Sequence, residues 1–341
     1  MRAMSVILKV LAFILLGALL AGLGFAAGMG TGIYLSLKPS GTGPPVRLEI
    51  PKGATAGEVA AALEREGVIE NRLLFRLTMK LAGAEASLKP GCYLVDPREN
   101  MMEIVNQFRK GSFRLRLVTI PEGLTLKEVA QILEKNGVAK ASEVLRTAKE
   151  SEFSLGGKKL PDIEGYLLPN TYDIPDFFTT KEVLETMLKA FETSVLPLYE
   201  RNRGKLPYKL TLRQVVILAS MVEREAQVPS ERPVIAMVYY NRLRRGMRME
   251  CDATIQFALG KPRAILKLSD LKLQSPYNTY LHDGLPPGPI ANPGIDCIRA
   301  AIEPARNDYL YYVRNDVKND GSHVFSRTFA EHNEAISKYQ R

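Results

Sequence analysis

Glu225 closes an apolar run, Val215-Val216-Ile217-Leu218-Ala219-Ser220-Met221-Val222-Glu223-Arg224-Glu225. Val215, Leu218, Ala219 and Val222 recur at i, i+3, i+4 and i+7, which puts them on one helical stripe. Glu225 lies three residues beyond Val222 and continues that stripe, whereas Glu223 points about 200° away around the helix. A carboxyl carried along an apolar face near a helix end is partly desolvated, and desolvation raises its pKa by disfavouring the charged form. A carboxylic acid that keeps its proton near neutral pH can protonate a leaving-group oxygen. The competing reading is an interior Glu paired with an Arg, for which Arg242 is the candidate partner.

Glu164, Glu223, Glu250 and Asp252 are the other candidate acids. A hydrolase that works with two carboxylates needs the second at a set distance from the acid, and Asp252 or Glu164 could fill that place. Other chemistries find less support. The three histidines, His282, His323 and His332, all lie in the last quarter, and the chain has no Gly-x-Ser-x-Gly elbow to carry a nucleophile triad. No histidine pair has helical ligand spacing, so no metal is assigned. Cys92, Cys251 and Cys297 are widely spaced and read as small buried hydrophobes, with one disulfide as the alternative in an oxidising compartment. No Gly-rich loop leads through a Lys into a helix, so no phosphate cradle and no cofactor is expected. What remains is carboxylate chemistry among polar, aromatic loops, the composition of carbohydrate sites.

The elements that must position these groups begin with a hydrophobic leader. Val10 to Leu37 contains no charged residue and is long enough to span a bilayer, which needs ~20 residues. Arg2 and Lys9 precede it, so the positive-inside rule places residues 1–9 in the cytoplasm, 10–37 in the membrane and the rest across it. A cleaved signal peptide is the alternative, with Phe25-Ala26-Ala27 offering small residues; the length of the run favours a retained anchor. The remaining ~300 residues, in a chain of 341 with 46% hydrophobic residues, suffice for one large or two medium domains. The net charge of +9 suits an acidic polymer or an anionic membrane surface; basic and acidic residues are interspersed and no nucleic-acid motif appears.

Ser40 to Pro45 reads as part of a linker, 38–45. An internal repeat follows: Ile50–Val68 aligns without gaps on Ile120–Val138. Each copy opens on an alternating strand, with Val46, Leu48 and Ile50 on one face of the first and Phe113, Leu115 and Leu117 on one face of the second. A Pro-x-Gly turn follows. Thr55 with Glu58, and Thr125 with Glu128, then have capping-box spacing for an amphipathic helix, which Gly67 and Gly137 end. Between the copies, Lys89–Val95 reads as turn and strand and Met102–Phe108 as a helix. Further helices are expected at Ala141–Lys149, Lys181–Leu198, Leu212–Ala226, Glu231–Arg245 (capped by Ser230) and Ile295–Ile302, with a strand at Tyr309–Val313 and a last amphipathic helix. Glu164–Tyr172 reads as irregular. The long stretch from Tyr277 to Gly294 reads as a functional loop.

Several of these segments together resemble a known family. Ala219-Ser220-Met221-Val222-Glu223-Arg224-Glu225-Ala226, Ser230-Glu231-Arg232, Val238 to Met247 and Asp252-Ala253-Thr254-Ile255 are similar, in order, to the signature of the endolytic murein transglycosylases, the MltG or YceG-like family. Tyr277-Asn278-Thr279-Tyr280, Gly284 to Ile290 and Asn292-Pro293-Gly294 continue the resemblance, which covers nearly the whole chain. Asn170, Glu250 and Cys251 depart from the usual pattern, Glu250-Cys251 standing where a Gln and a small hydroxyl residue are more usual.

The resemblance implies an α+β fold: a single N-terminal transmembrane helix, a small LysM-like peptidoglycan-binding subdomain (46–111) and a larger mixed α/β catalytic domain (112–341). It implies that Glu225 is the catalytic acid/base, cleaving the MurNAc–GlcNAc bond inside glycan strands to leave 1,6-anhydro-muramyl ends. Glu164, Asn241, Asp252, Tyr277, Asn278 and Asn292 are the expected substrate contacts, and Tyr166 and Tyr172 are candidates to stack on sugar faces. Glu223 and Arg242 are expected behind the site. The expected partners are peptidoglycan glycan strands, the inner membrane that holds the anchor, and peptidoglycan synthases. A hydrolytic muramidase and a non-enzymatic wall-binding scaffold are the rival readings.

Overall fold

A computed structural model describes Tyr34 and residues 38–111, 115–260, 263 and 266–340. The expected Val10–Leu37 anchor, Tyr34 apart, lies outside the described residues, and so does Phe113. Among the described residues no helix is long and apolar enough to cross a membrane. The chain divides into two compact units, Met1–Leu115 with Pro175–Phe177, and Arg116–Ile174 with Phe178–Arg341.

The first unit holds β1 (Val46–Ile50), α1 (Ala56–Arg65), α2 (Arg72–Leu81), β2 (Gly91–Val95) and α3 (Met101–Lys110). β1 and β2 pair antiparallel, Val46 opposite Val95 and Ile50 opposite Gly91. The alternation read from the sequence buries Leu48 and Ile50 against Val59, Leu63, Phe75, Tyr93 and Phe108. The Thr55–Glu58 capping box opens α1, and Asn100 with Glu103 opens α3 in the same way.

The second unit starts from the second copy of the repeat, β3 (Leu115–Ile120) and α4 (Leu126–Lys135), with the Thr125–Glu128 box in place. Gly53 and Gly123 sit at equivalent turn positions with φ of +85° and +77°, backbone that an L side chain rarely adopts. The expected strand register is corrected here. Leu115 and Leu117 face outward, and Val118 and Ile120 are the buried pair. The repeat alignment itself contains this answer, because Ile120 corresponds to Ile50 and Val118 to Leu48. After α5 (Ala141–Glu150) come a short hairpin, β4 (Ser154–Leu155) and β5 (Lys158–Lys159), and β6 (Asn170–Pro175), which pairs with β3. β6 corrects the reading of Glu164–Tyr172 as wholly irregular: the strand starts at Asn170, directly after Pro169.

Then follow α6 (Thr180–Asn202), α7 (Leu212–Glu225), α8 (Arg232–Arg244), α9 (Asp252–Leu259), α10 (Ile295–Ile302), the antiparallel pair β7 (Tyr311–Arg314) and β8 (His323–Ser326), and α11 (Phe329–Tyr339). α7 is the central element. Val215 to Val222 are all buried, and α8, α9 and α10 pack around them. Each fully buried Val, Leu, Ile or Met contributes about 1.5–3 kcal/mol. The Thr211 capping box fixes its start, and the chain leaves the helix at Ala226 in extended conformation, which places Glu225 at its C-terminal end. Two expectations change. α8 carries no side-chain cap from Ser230, since a 3-10 turn, Pro229–Glu231, leads into it. α9 is an unforeseen helix, too short and too apolar to show an amphipathic period.

Candidate active site

Glu225 projects from the last turn of α7 into a cage built by three other segments. Cys251, which precedes α9, donates its thiol to Glu225 Oε1 at 3.3 Å. Tyr312 of β7 donates its hydroxyl to Oε2 at 3.2 Å. The backbone N–H of Ala253 also faces the carboxylate. Behind this layer Tyr239 of α8 and Tyr312 join hydroxyls at 2.8 Å. Burial raises the pKa of Glu225, the charge of Asp252 raises it further, and the hydrogen bonds from Cys251, Tyr312 and Ala253 pull the other way. The Glu225–Arg242 pairing is therefore set aside. Arg242 is committed elsewhere, donating to the carbonyls of Leu310, Arg248 and Met249 and to Glu250 Oε2, at 2.6 to 3.0 Å.

The cavity in front of Glu225 has a volume of about 510 Å³. Arg224, Asp252, Tyr280, Arg314, His323 and His332 are among the residues on its walls. Asp252 is exposed at the first turn of α9, and Tyr280 donates to its Oδ1 at 2.6 Å. Glu250 also lines the cavity, held by Arg242 in a backbone with φ of +49°. Cys251 takes its own geometry from Thr279, whose hydroxyl accepts from the Cys251 N–H at 3.0 Å, and from the Thr254 hydroxyl on its carbonyl.

Glu164 stands in a different place. It accepts the N–H of Leu126, the first residue of α4, at 2.9 and 3.0 Å, and the Asn292 amide at 3.3 Å. Burial outweighs those bonds and pushes its pKa up to about 8. It lines a second, largely apolar cavity of about 430 Å³, which shares Arg224 with the first and is walled by Ala253, next in chain to Asp252. Glu223 turns away from Glu225, as the helical spacing requires, and accepts the Gly294 N–H at 2.9 Å.

Several expected sugar contacts are taken up by the fold. Asn241 donates to the carbonyls of Asn307 and Tyr309 and accepts from Arg244. Asn278, fully buried, donates to Leu271 and Leu273 carbonyls and accepts from the Tyr280 N–H. Asn292, also fully buried, donates to the Leu124 carbonyl and accepts from the Leu167 N–H. In each case the amide donates to backbone carbonyls of segments with little regular structure. Tyr277 packs on Phe257 with ring centroids 4.8 Å apart. Tyr166 is core, edge-on to Phe191, and Tyr172 is buried with its hydroxyl on the Leu168 carbonyl.

Residues that sequence reasoning passed over complete the site. Cys251 reads in the sequence as a small buried hydrophobe and a departure from the family pattern, not as a partner of Glu225. Tyr312 and Tyr239 carried no local signal beyond their own strand and helix. Tyr280 lies within the Tyr277–Tyr280 motif, which assigns it no role. His323, which the sequence offers neither to a nucleophile triad nor to a metal, contacts the Tyr312 ring edge-on with centroids 5.3 Å apart.

Residues 48–338 match the YceG-like family. An endolytic murein transglycosylase of Bacillus subtilis (strain 168) is 31% identical over 311 residues, 86% of this chain and 84% of that protein. An endolytic murein transglycosylase of Streptococcus pneumoniae serotype 2 is 28% identical over 326 residues; these span 86% of this chain but 58% of the longer relative. A 2.6 Å crystal structure of a putative yceG-like protein from Listeria monocytogenes superposes with a TM-score of 0.57 at 31% identity, covering 86% of this chain and 99% of that one.

Proposed function

The chain belongs to the YceG-like family, and on that premise we propose that it is a peptidoglycan lytic transglycosylase with Glu225 as its acid/base. The observation that carries the reading is the Glu225 cage: a carboxyl with a raised pKa, held by two neutral donors and open to a cavity large enough for sugar rings. The names of the Bacillus and Streptococcus relatives support the same substrate. In the finer reading the cut falls between MurNAc and GlcNAc inside glycan strands and leaves 1,6-anhydro ends. The Val10–Leu37 run holds the protein in the plasma membrane with its N-terminus cytoplasmic and residues 38–341 outside. The 46–111 segment is the LysM-like wall-binding part, and a cavity of about 400 Å³ along β1, the Pro51–Ala54 turn and α1 is its candidate groove. Peptidoglycan synthases are the proposed partners.

Protonated Glu225 gives its proton to the glycosidic oxygen as the bond from C1 of N-acetylmuramic acid breaks. The sugar's own acetamido group stabilises the positive charge that develops. The negative charge of Asp252, which already raises the Glu225 pKa, favours the same charge. The C6 hydroxyl of the same sugar then bonds to C1 and releases its proton, which returns to Glu225 in a single-acid cycle. Because the attacking hydroxyl is part of the substrate, it arrives at high effective concentration.

The test is mass spectrometry of glycan digested by the purified protein and by Glu225→Gln. Anhydro ends produced by the parent and lost in the variant are expected. Reducing ends would make the enzyme a muramidase, and equal digestion by both proteins would remove Glu225 from the mechanism. External protease on spheroplasts tests topology: digestion of the catalytic unit is expected, and full protection would overturn it.

A further inference from the structure

One titratable pair in the catalytic cavity has no part in the single-acid cycle. Glu231, in the 3-10 turn before α8, accepts from the backbone N–H of His323 at 3.0 Å through Oε1 and meets His323 Nδ1 at 2.8 Å through Oε2. Both side chains are largely buried, at 8% exposure for His323 and 13% for Glu231. This two-point clamp fixes the imidazole in position and in tautomer. Nδ1 carries the hydrogen shared with the carboxylate, so in the neutral ring Nε2 is the acceptor. His323 is part of the cavity wall, and among the described residues its ring bonds only Glu231, through Nδ1. The ring is braced edge-on against Tyr312, the residue that donates to Glu225. A carboxylate, an imidazole and an open Nε2 in line form the arrangement that serves proton abstraction in nucleophile–base systems.

We propose that His323, oriented by Glu231, is a second catalytic group of this site and receives the proton of the attacking hydroxyl. The proposal rests on the transglycosylase reading above and changes one step of it. Glu225 loses its proton to the leaving oxygen as the C1–O bond breaks. The C6 oxygen forms the new bond to C1, and its proton passes to His323 Nε2. The imidazolium is stabilised by the Glu231 carboxylate at Nδ1 and returns the proton through solvent to ionised Glu225. No oxidant or further reactant is needed. The ring is clamped by Glu231 on its turn and lies against Tyr312 on β7; the other charged and titratable groups on the cavity wall are Arg224 and Glu225 on α7, Arg242 on α8, Glu250, Asp252 on α9, Tyr280, Arg314 on β7 and His332 on α11. The neutral ring is the working form, so the pair adds an acidic limb to the rate, separate from the basic limb that Glu225 sets.

His323→Asn is the discriminating variant, because its amide can replace Nδ1 as donor to Glu231 but places no nitrogen at the Nε2 position. Steady-state rates on glycan strands would be measured from pH 5 to 9 for the parent, His323→Asn and Glu231→Gln, with thermal melts as the folding control. The expected result is a kcat lowered by about 10²-fold in His323→Asn, with KM within a few-fold and the acidic limb gone. Glu231→Gln, which removes the charge that stabilises the imidazolium, should move the acidic limb to lower pH. A folded His323→Asn with parental kcat and pH profile would overturn the proposal. Should that variant fail to fold, an acidic limb unmoved in Glu231→Gln would overturn it instead. Absence of cleavage by the parent protein is a different result and would sink the transglycosylase reading itself.

Discussion

The Cys251 thiol donates to Glu225 Oε1 at 3.3 Å and so opposes the burial that raises the pKa of that carboxyl. A donor to a carboxylate favours the ionised form, and a hydroxyl donates more strongly than a thiol. Cys251→Ser should therefore lower the Glu225 pKa, and Cys251→Ala should raise it. The protonated form is the acid, so activity falls as pH rises through that pKa. The basic limb of the rate profile is expected to move to lower pH in the Ser variant and to higher pH in the Ala variant. Identical basic limbs in all three proteins would show that the thiol does not tune the acid.

The two glutamates of α7 should separate cleanly by function. Glu225→Gln keeps the shape of the side chain but cannot cycle a proton, and a loss of about 10²–10⁴ in rate is expected, with sacculus binding retained. Glu223→Gln keeps an oxygen for the Gly294 N–H and should cost far less. Glycan release assays on the two variants decide the matter. A dead Glu223→Gln beside a near-normal Glu225→Gln would refute the assignment.

Glu164, with its pKa pushed up to about 8 by burial, makes stability depend on pH in a fixed direction. Below the ordinary carboxyl range it is protonated both folded and unfolded. From there up to about pH 8 the unfolded chain ionises and the folded one does not, so stability falls as pH rises and then levels off. The loss is on the order of 2–4 kcal/mol, allowing for the part of the side chain that solvent reaches. Glu164→Gln removes this term. Its melting temperature should gain on the parent by several degrees between pH 5 and pH 8, and a constant difference across that range would count against a buried acid.

Arg242 should be structural. Its four hydrogen bonds join α8 to the Arg248–Glu250 segment and to Leu310, just before β7. Arg242→Ala leaves buried carbonyls unpaired and should cost about 3–5 kcal/mol in denaturant unfolding. Lys cannot reproduce the planar fork and should recover only part of the loss. A variant of near-parental stability would mean that the network contributes little.

The parts of this architecture that show in the sequence are those governed by near neighbours. The two capping boxes, the glycine turns and the helix that ends at Glu225 each depend on residues within about four positions of one another. The site itself does not. Cys251 meets Glu225 across 26 residues and Tyr312 meets it across 87, with no periodicity linking them. The same limit applies to the asparagines. Asn278 and Asn292 lie in loops and Asn241 on α8, and all three amides donate to backbone carbonyls of segments with little regular structure, which no local pattern reveals. The outward placement of Leu117 was legible in the repeat alignment, and the local alternation of the strand obscured it.

The 87-residue span between Glu225 and Tyr312 also bears on timing. As the chain is synthesised, α7 is complete long before β7 and β8 exist. Contacts between segments so far apart form late, since chain must be ordered before they can close. Until that hairpin docks, the acid has neither the Tyr312 hydroxyl nor the His323 side of its cavity. A nascent or partly folded copy thus carries Glu225 without the hydrogen bond and the cavity wall that complete its surroundings.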